Sequence, residues 1–167
     1  MTARTAVAGG TDDPGIQAAA AGALALITDG TRVGLGSGRA ASAFIMRLGA
    51  RVREGLQVSA VPTSSASARL AREIGIPLLD LGEEWDLDLT VDGADEVALN
   101  LMSENGNLTL NCAMPAWTGG GLVPGDLADA IRTIPGVVDV GFFLGTAERI
   151  LVGYPDGRVE TLLRQGE

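Results

Sequence analysis

Asp92 and Asp95 stand three apart in the pentapeptide DGADE, which closes a strand-like run over residues 85–91. Two carboxylates at a strand end, with Gly93 between them to permit a tight backbone, can accept hydrogen bonds from the hydroxyls of a small polar ligand or relay protons. The same spacing also describes an acid-capped, solvated turn. The chain has no lysine and no histidine, so the two residues that most often share proton-transfer work with carboxylates are missing.

A second constellation is GLGSGRA, residues 34–40. Its glycines let a backbone approach a ligand closely, and the amides of Ser37, Gly38 and Arg39 are expected to point outward from the start of a helix, where they would favour an anion such as phosphate. Arg39 could add a charge-assisted contact. A tight strand-to-helix turn that binds nothing would carry the same pattern. A third, Pro62-Thr63-Ser64-Ser65, offers hydroxyls at another strand end and reads either as ligand contacts or as a helix N-cap.

Alternating strands and helices must position these groups. Residues 14–28 read as an alanine-rich helix behind a frayed N-terminus over 1–13, and 32–35 as a short apolar strand. Residues 40–53 have helical spacing through Phe44, Ile45, Leu48 and Val52, stopped by Gly55. Strand 57–61, a helix over 66–73 capped by Ser64 or Ser65 and ending near Gly75, and a strand over 76–81 follow. This order predicts an α/β fold, a Rossmann-like, mostly parallel sheet with helices on both faces and ligands at the carboxyl ends of the strands. The second half is less regular. Residues 99–102 and 107–111 flank Asn105-Gly106, a hairpin signal; 126–134 reads as a helix, 137–144 as a strand, and 150–154 with 158–162 as a last hairpin. Residues 14–167 are expected to form one domain, with halves 14–102 and 103–167.

Composition narrows the function classes. With 46% hydrophobic residues the chain can build a sizeable core. Twelve basic against 21 acidic residues give a net charge of −9, which disfavours nucleic acid and anionic membranes as partners. The apolar stretch 16–27 is too short to span a bilayer, and the lone Cys112 cannot form an internal disulfide; a cytoplasmic location fits both.

Taken in order, GLGSGRAASAFI, VPTSSASARLAREIGIPLLDL, LDLTVDGADEV, ENGNLTLNC and AIRTIPGVVDVGFFLGTAERILVG resemble the type A ribose-5-phosphate isomerases over nearly the whole chain. The resemblance implies an aldose-ketose isomerase of the pentose phosphate pathway that needs no metal and no cofactor. By it, Ser37, Gly38, Arg39 and Ala40 match the phosphate-side loop, with Arg39 and Ala40 replacing a serine and a threonine. Asp92 and Asp95 match the two aspartates that contact the substrate and assist ring opening, and Gly93 and Ala94 line the same turn. The family's lysine-bearing KGGG segment and glutamate-bearing REK segment have no match after Met102. An internal deletion that also removes a sheet strand and the small inserted domain is therefore expected. Two classes stay open: an isomerase by descent, active or impaired by that loss, or a non-catalytic sugar-phosphate binding or interaction module on the same scaffold. A sheet missing a strand would leave an apolar edge that invites a homodimer. If the aspartates serve only as ligand contacts, removing Asp92 should leave stability unchanged.

Overall fold

The computed structural model describes residues 10–79, 86–93 and 123–164. Among these residues four helices and five strands follow in the order α1 (Pro14–Leu24), β1 (Arg32–Leu35), α2 (Gly38–Arg53), β2 (Ser59–Pro62), α3 (Ser65–Ile74), β3 (Leu89–Val91), α4 (Pro124–Arg132), β4 (Arg149–Gly153) and β5 (Val159–Leu163). They divide between two compact units, residues 1–96 with 151–161, and residues 97–150 with 162–167.

The first unit is built on a parallel sheet in the order β2-β1-β3. β1 takes the centre because, after Arg32, it carries only Val33, Gly34 and Leu35, all buried. Val33 lies opposite both Ala60 and Leu89, and Leu35 opposite both Pro62 and Val91. A side chain at position 34 would collide with Thr90, so Gly34 lets β3 close against β1. Because β2 and β3 flank β1 on opposite sides, the chain leaves β1 at a topological switch point. In such sheets the crevice at the carboxyl ends receives ligands.

The helices follow the apolar spacing. α2 buries Phe44, Ile45 and Leu48 in one core with Val33 and Leu35 of β1, and these five are the largest fully buried side chains. Its far side meets α3, where Gly49 gives way to Ile74. Asp13 caps α1, accepting from the amides of Gly15 and Ile16 at 2.9 and 3.1 Å. That helix stops at Leu24, short of the expected residue 28. Thr31 Oγ1 takes the Thr28 amide at 3.1 Å and itself donates to the Thr28 carbonyl at 2.7 Å, a local hydroxyl bridge that diverts the backbone from the helix. Of the two candidate caps for α3, Ser64 is the one used; it accepts from the Ser67 amide, and Gly75 ends the helix in the left-handed conformation at φ +83°.

Two expected strands are corrected. Within 76–81 the described residues form a single bridge, Leu78 to Ala60, since Pro77 has no amide to extend the ladder; residues 80–85 lie outside the described set. The run 137–144 is not a strand. No described strand pairs with it, and Val138 and Phe143 stand 73% and 79% exposed. Arg132 at the end of α4 instead holds Asp139 at 3.1 Å. The Val140 amide and then Arg132 keep the Asp139 carboxyl below its ordinary range. The proposed hairpin over 99–111 falls outside the described residues.

The last hairpin forms in the expected register, each strand lying one residue farther from the turn than expected, and it turns at Gly157 with φ +85°. Gly153 meets Gly15 of α1 so closely that a Cβ on Gly153 would strike the Gly15 carbonyl oxygen, and one on Gly15 would sit 2.8 Å from the Gly153 oxygen. Both obstacles are backbone and cannot rotate away. Gly153→Ala should therefore cost about 1–3 kcal/mol of stability in urea unfolding. Among the described residues Gly125 in α4 has just the tip of Leu144 in reach, at 4.0 Å, so Gly125→Ala should be neutral or gain up to about 1 kcal/mol. Equal effects of the two substitutions would refute the contact.

Candidate functional site

Three loops meet where the sheet's carboxyl ends converge: β1 into α2, β2 into α3, and the residues after β3. Two consecutive peptide groups leaving β1 are held from both sides. In the first, the Gly36 amide donates to the Val91 carbonyl at 2.8 Å, while the Leu35 carbonyl accepts from the Thr63 amide at 2.9 Å and the Thr63 hydroxyl at 3.1 Å. In the second, the Ser37 amide donates to Asp92 Oδ1 at 2.8 Å, while the Gly36 carbonyl accepts from the Ser67 hydroxyl at 2.5 Å. The first pair continues the ladder through backbone partners. The second replaces them with side chains.

Asp92 Oδ1 also accepts from the Gly93 amide at 2.9 Å, and that amide lies 3.2 Å from the Ser37 carbonyl. Gly36 must be glycine, because a Cβ there would collide with Asp92. Gly93 must be glycine for the same kind of reason: its Cβ would stand 2.8 Å from the Ser37 oxygen and 3.0 Å from the Ala41 nitrogen. Gly38, at φ +86°, then turns the chain into α2 through a conformation that L side chains rarely adopt.

This geometry corrects one expectation. Of the three amides expected to face outward, that of Ser37 is turned onto Asp92. Ser37 remains at the N-cap of α2, exposed and extended at φ −124°, and its hydroxyl does not cap the helix. Gly38, Arg39 and Ala40 form the half-buried first turn, where helix geometry leaves amides without an intrahelical acceptor. Asp92 is exposed, and no described residue donates to its Oδ2. Thus Ser37, Gly38, Arg39, Ala40, Asp92 and Gly93 come together at one end of the sheet. Asp95 and Ala94 lie outside the described residues.

Two further side chains, Thr63 and Ser67, hold this cluster from the β2 side. Thr63 stood in the hydroxyl-rich run but holds a strand carbonyl rather than facing a ligand. Ser67, buried at 5% exposure, looked like one more small helical residue; its position three after the Ser64 cap is the only signal that it faces the loop. Among the described residues there is no group of acids and thiols able to hold a metal ion, and no helix long and apolar enough to cross a membrane.

The ribose 5-phosphate isomerase A (phosphoriboisomerase A) family model matches residues 59–103 and 98–157, two pieces that meet at 98–103. A ribose-5-phosphate isomerase A of Ruegeria sp. is 30% identical over 220 positions, covering 85% of this chain and 84% of that protein. An alignment longer than this 167-residue chain leaves several dozen of the relative's positions without a counterpart. The namesake from Methylorubrum populi is 54% identical over 85 residues, covering 51% of this chain but only 36% of its own length. Among solved structures, ribose 5-phosphate isomerase A from Methanocaldococcus jannaschii superposes with a TM-score of 0.72 at 25% identity, covering 92% of this chain and all of that one.

The two amide bonds to Asp92 make it structural as well as accessible. Asp92→Ala should lower stability by about 1–2 kcal/mol, since it strips a shared acceptor from Ser37 and Gly93. Asp92→Asn keeps Oδ1 and should stay within about 0.5 kcal/mol of the parent. Unfolding curves that coincide for the parent and Asp92→Ala would return Asp92 to a purely ligand-facing role.

Proposed function

The chain belongs to the ribose 5-phosphate isomerase A family, and from that membership we propose that it binds ribose 5-phosphate or ribulose 5-phosphate and interconverts them weakly at most. The observation that supports the binding half is the 2.8 Å bond between the Ser37 amide and Asp92, which joins the loop after β1 to the residue after β3. The phosphate lies at the first turn of α2, against Gly38, Arg39 and Ala40 and the Ser37 hydroxyl. Favourable amide dipoles and the Arg39 charge offset there the repulsion of a chain with net charge −9. The sugar hydroxyls lie toward Asp92, Asp95, Gly93 and Ala94. Asp92 offers Oδ2 while Oδ1 holds the loop, so one carboxylate serves both the scaffold and the ligand.

The catalytic half is weakened by what the chain lacks. Moving a proton between C2 and C1 requires a base for a weakly acidic C–H bond and a cation or hydrogen-bond donor for the enediolate oxygen, and each commonly contributes orders of magnitude in rate. The family supplies these from lysine and glutamate segments that follow the aspartate turn. In this chain the family match breaks at 98–103, and the whole sequence contains no lysine or histidine. Arginine can stabilise an oxyanion but is a poor proton carrier. The carboxylates of Asp92 and Asp95 are what remains as a makeshift base for slow turnover. The missing lysine and glutamate equally support a second reading, a non-catalytic sugar-phosphate module on the isomerase scaffold.

Calorimetric titration with ribose 5-phosphate and with ribose, beside a turnover assay on the same sample, tests both halves. Ribose 5-phosphate should bind and ribose bind much more weakly, and Arg39→Ala should lose about 1.5–3 kcal/mol of ribose 5-phosphate affinity. Turnover should be slow or absent. Equal affinity for the two sugars would remove the phosphate site, and rapid isomerisation would remove the impairment.

A further inference from the structure

The second peptide group beyond β1, joining Gly36 to Ser37, is the one the site depends on, since its N–H holds Asp92 and its neighbours form the first turn of α2. Among the described residues its carbonyl is held by the hydroxyl of Ser67, at 2.5 Å. Ser67 belongs to α3 and is separated from Gly36 by 31 positions in sequence, so this bond crosses from one βα unit to the other. The hydroxyl is itself directed. Ser64 Oγ lies 3.0 Å from Ser67 Oγ and accepts from the Ser67 amide at 3.2 Å, so the Ser64 hydroxyl can donate to Ser67 as Ser67 donates to Gly36. Such a relay polarises each bond in turn. Burial at 5% exposure keeps water from substituting for it.

A peptide group is planar, so fixing its carbonyl fixes its N–H. We propose that Ser67 is a positioning residue: by anchoring the Gly36 carbonyl it aims the Ser37 amide at Asp92, and so sets both the orientation of that carboxylate and the entry of the chain into the first turn of α2. Ser67 touches no ligand. Its predicted effect on ligand affinity rests on the sugar-phosphate reading above, whereas its effect on the peptide group does not.

The consequence is selective. Ser67→Ala leaves the Ser67 amide bond to Ser64, and hence the cap of α3, in place, so the variant retains its fold. It frees the Gly36 carbonyl, and the Ser37 amide then swings off Asp92 part of the time. Loosening at the phosphate end should reduce the preference for ribose 5-phosphate over ribose by about fivefold to tenfold, the effect of losing one hydrogen bond. A general loss of stability would lower both affinities together and leave that ratio unchanged. Ser67→Thr, which keeps a hydroxyl, should recover most of it.

The experiment uses the full chain, ¹⁵N-labelled, as parent, Ser67→Ala and Ser67→Thr. Amide hydrogen exchange is followed at Ser37 and Gly93, with Leu48 in the middle of α2 as the internal reference, and both sugars are titrated. Exchange that quickens at Ser37 and Gly93 but not at Leu48 in Ser67→Ala, and recovers in Ser67→Thr, supports the positioning role. Unchanged exchange at Ser37, or equal quickening at Leu48, overturns it. If the parent binds both sugars alike, the sugar-phosphate reading fails, and the exchange pattern still decides Ser67. If the parent discriminates and Ser67→Ala discriminates equally well, the positioning role fails while the binding reading stands.

Discussion

One peptide plane, between Gly36 and Ser37, is pinned at its carbonyl by Ser67 and at its amide by Asp92, and the carboxyl end of the sheet is organised around it. The backbone ladder of β1 runs out one residue earlier, where Gly36 still finds the Val91 carbonyl and Leu35 the Thr63 amide. Beyond that rung the neighbouring strands diverge, and side chains from each flank take over. Gly36 has no room for a Cβ beside Asp92, and Gly93 none beside Ser37 and Ala41. Those two steric limits account for Gly36 and Gly93, as the approach of Thr90 does for Gly34 and the positive φ for Gly38.

The same constraint bears on the proposed sugar-phosphate site. Among the described residues the groups that hold the plane, Ser67 of α3 and Asp92 just after β3, lie N-terminal to the position where the family match breaks. The first unit also has its own core around Phe44, Leu35, Ile45, Leu48 and Val33. On the proposed reading, the family segments without a match here would supply proton-transfer groups rather than either of these two supports. In the second unit, the run 137–144 has the apolar content of a strand, yet among the described residues nothing pairs with it.

Much of this was legible in the sequence, and unevenly so. β1 falls on its expected residues because a short apolar run between a glycine turn and a glycine loop has few alternatives, and α2 and α3 begin and end within two residues of expectation. The DGADE and GSGRA patterns announced the two halves of the site, and their residues do converge as far as they are described. Sequence could not say which way the Ser37 amide points, because that depends on a carboxylate 55 positions away. Ser67 was silent for a related reason: a buried serine and a buried alanine have the same place in an amphipathic helix until the neighbouring loop is seen. The strand expected over 137–144 failed on a non-local requirement, since strand propensity forms no strand without a partner.

The most direct measurement of this arrangement is a crystal structure of the chain with ribose 5-phosphate bound. The Ser37 amide should still donate to Asp92 Oδ1, with the phosphate at residues 38–40 and the sugar hydroxyls toward Asp92. A phosphate bound elsewhere, or a Ser37 amide rotated away from Asp92 to grip the phosphate itself, would contradict it.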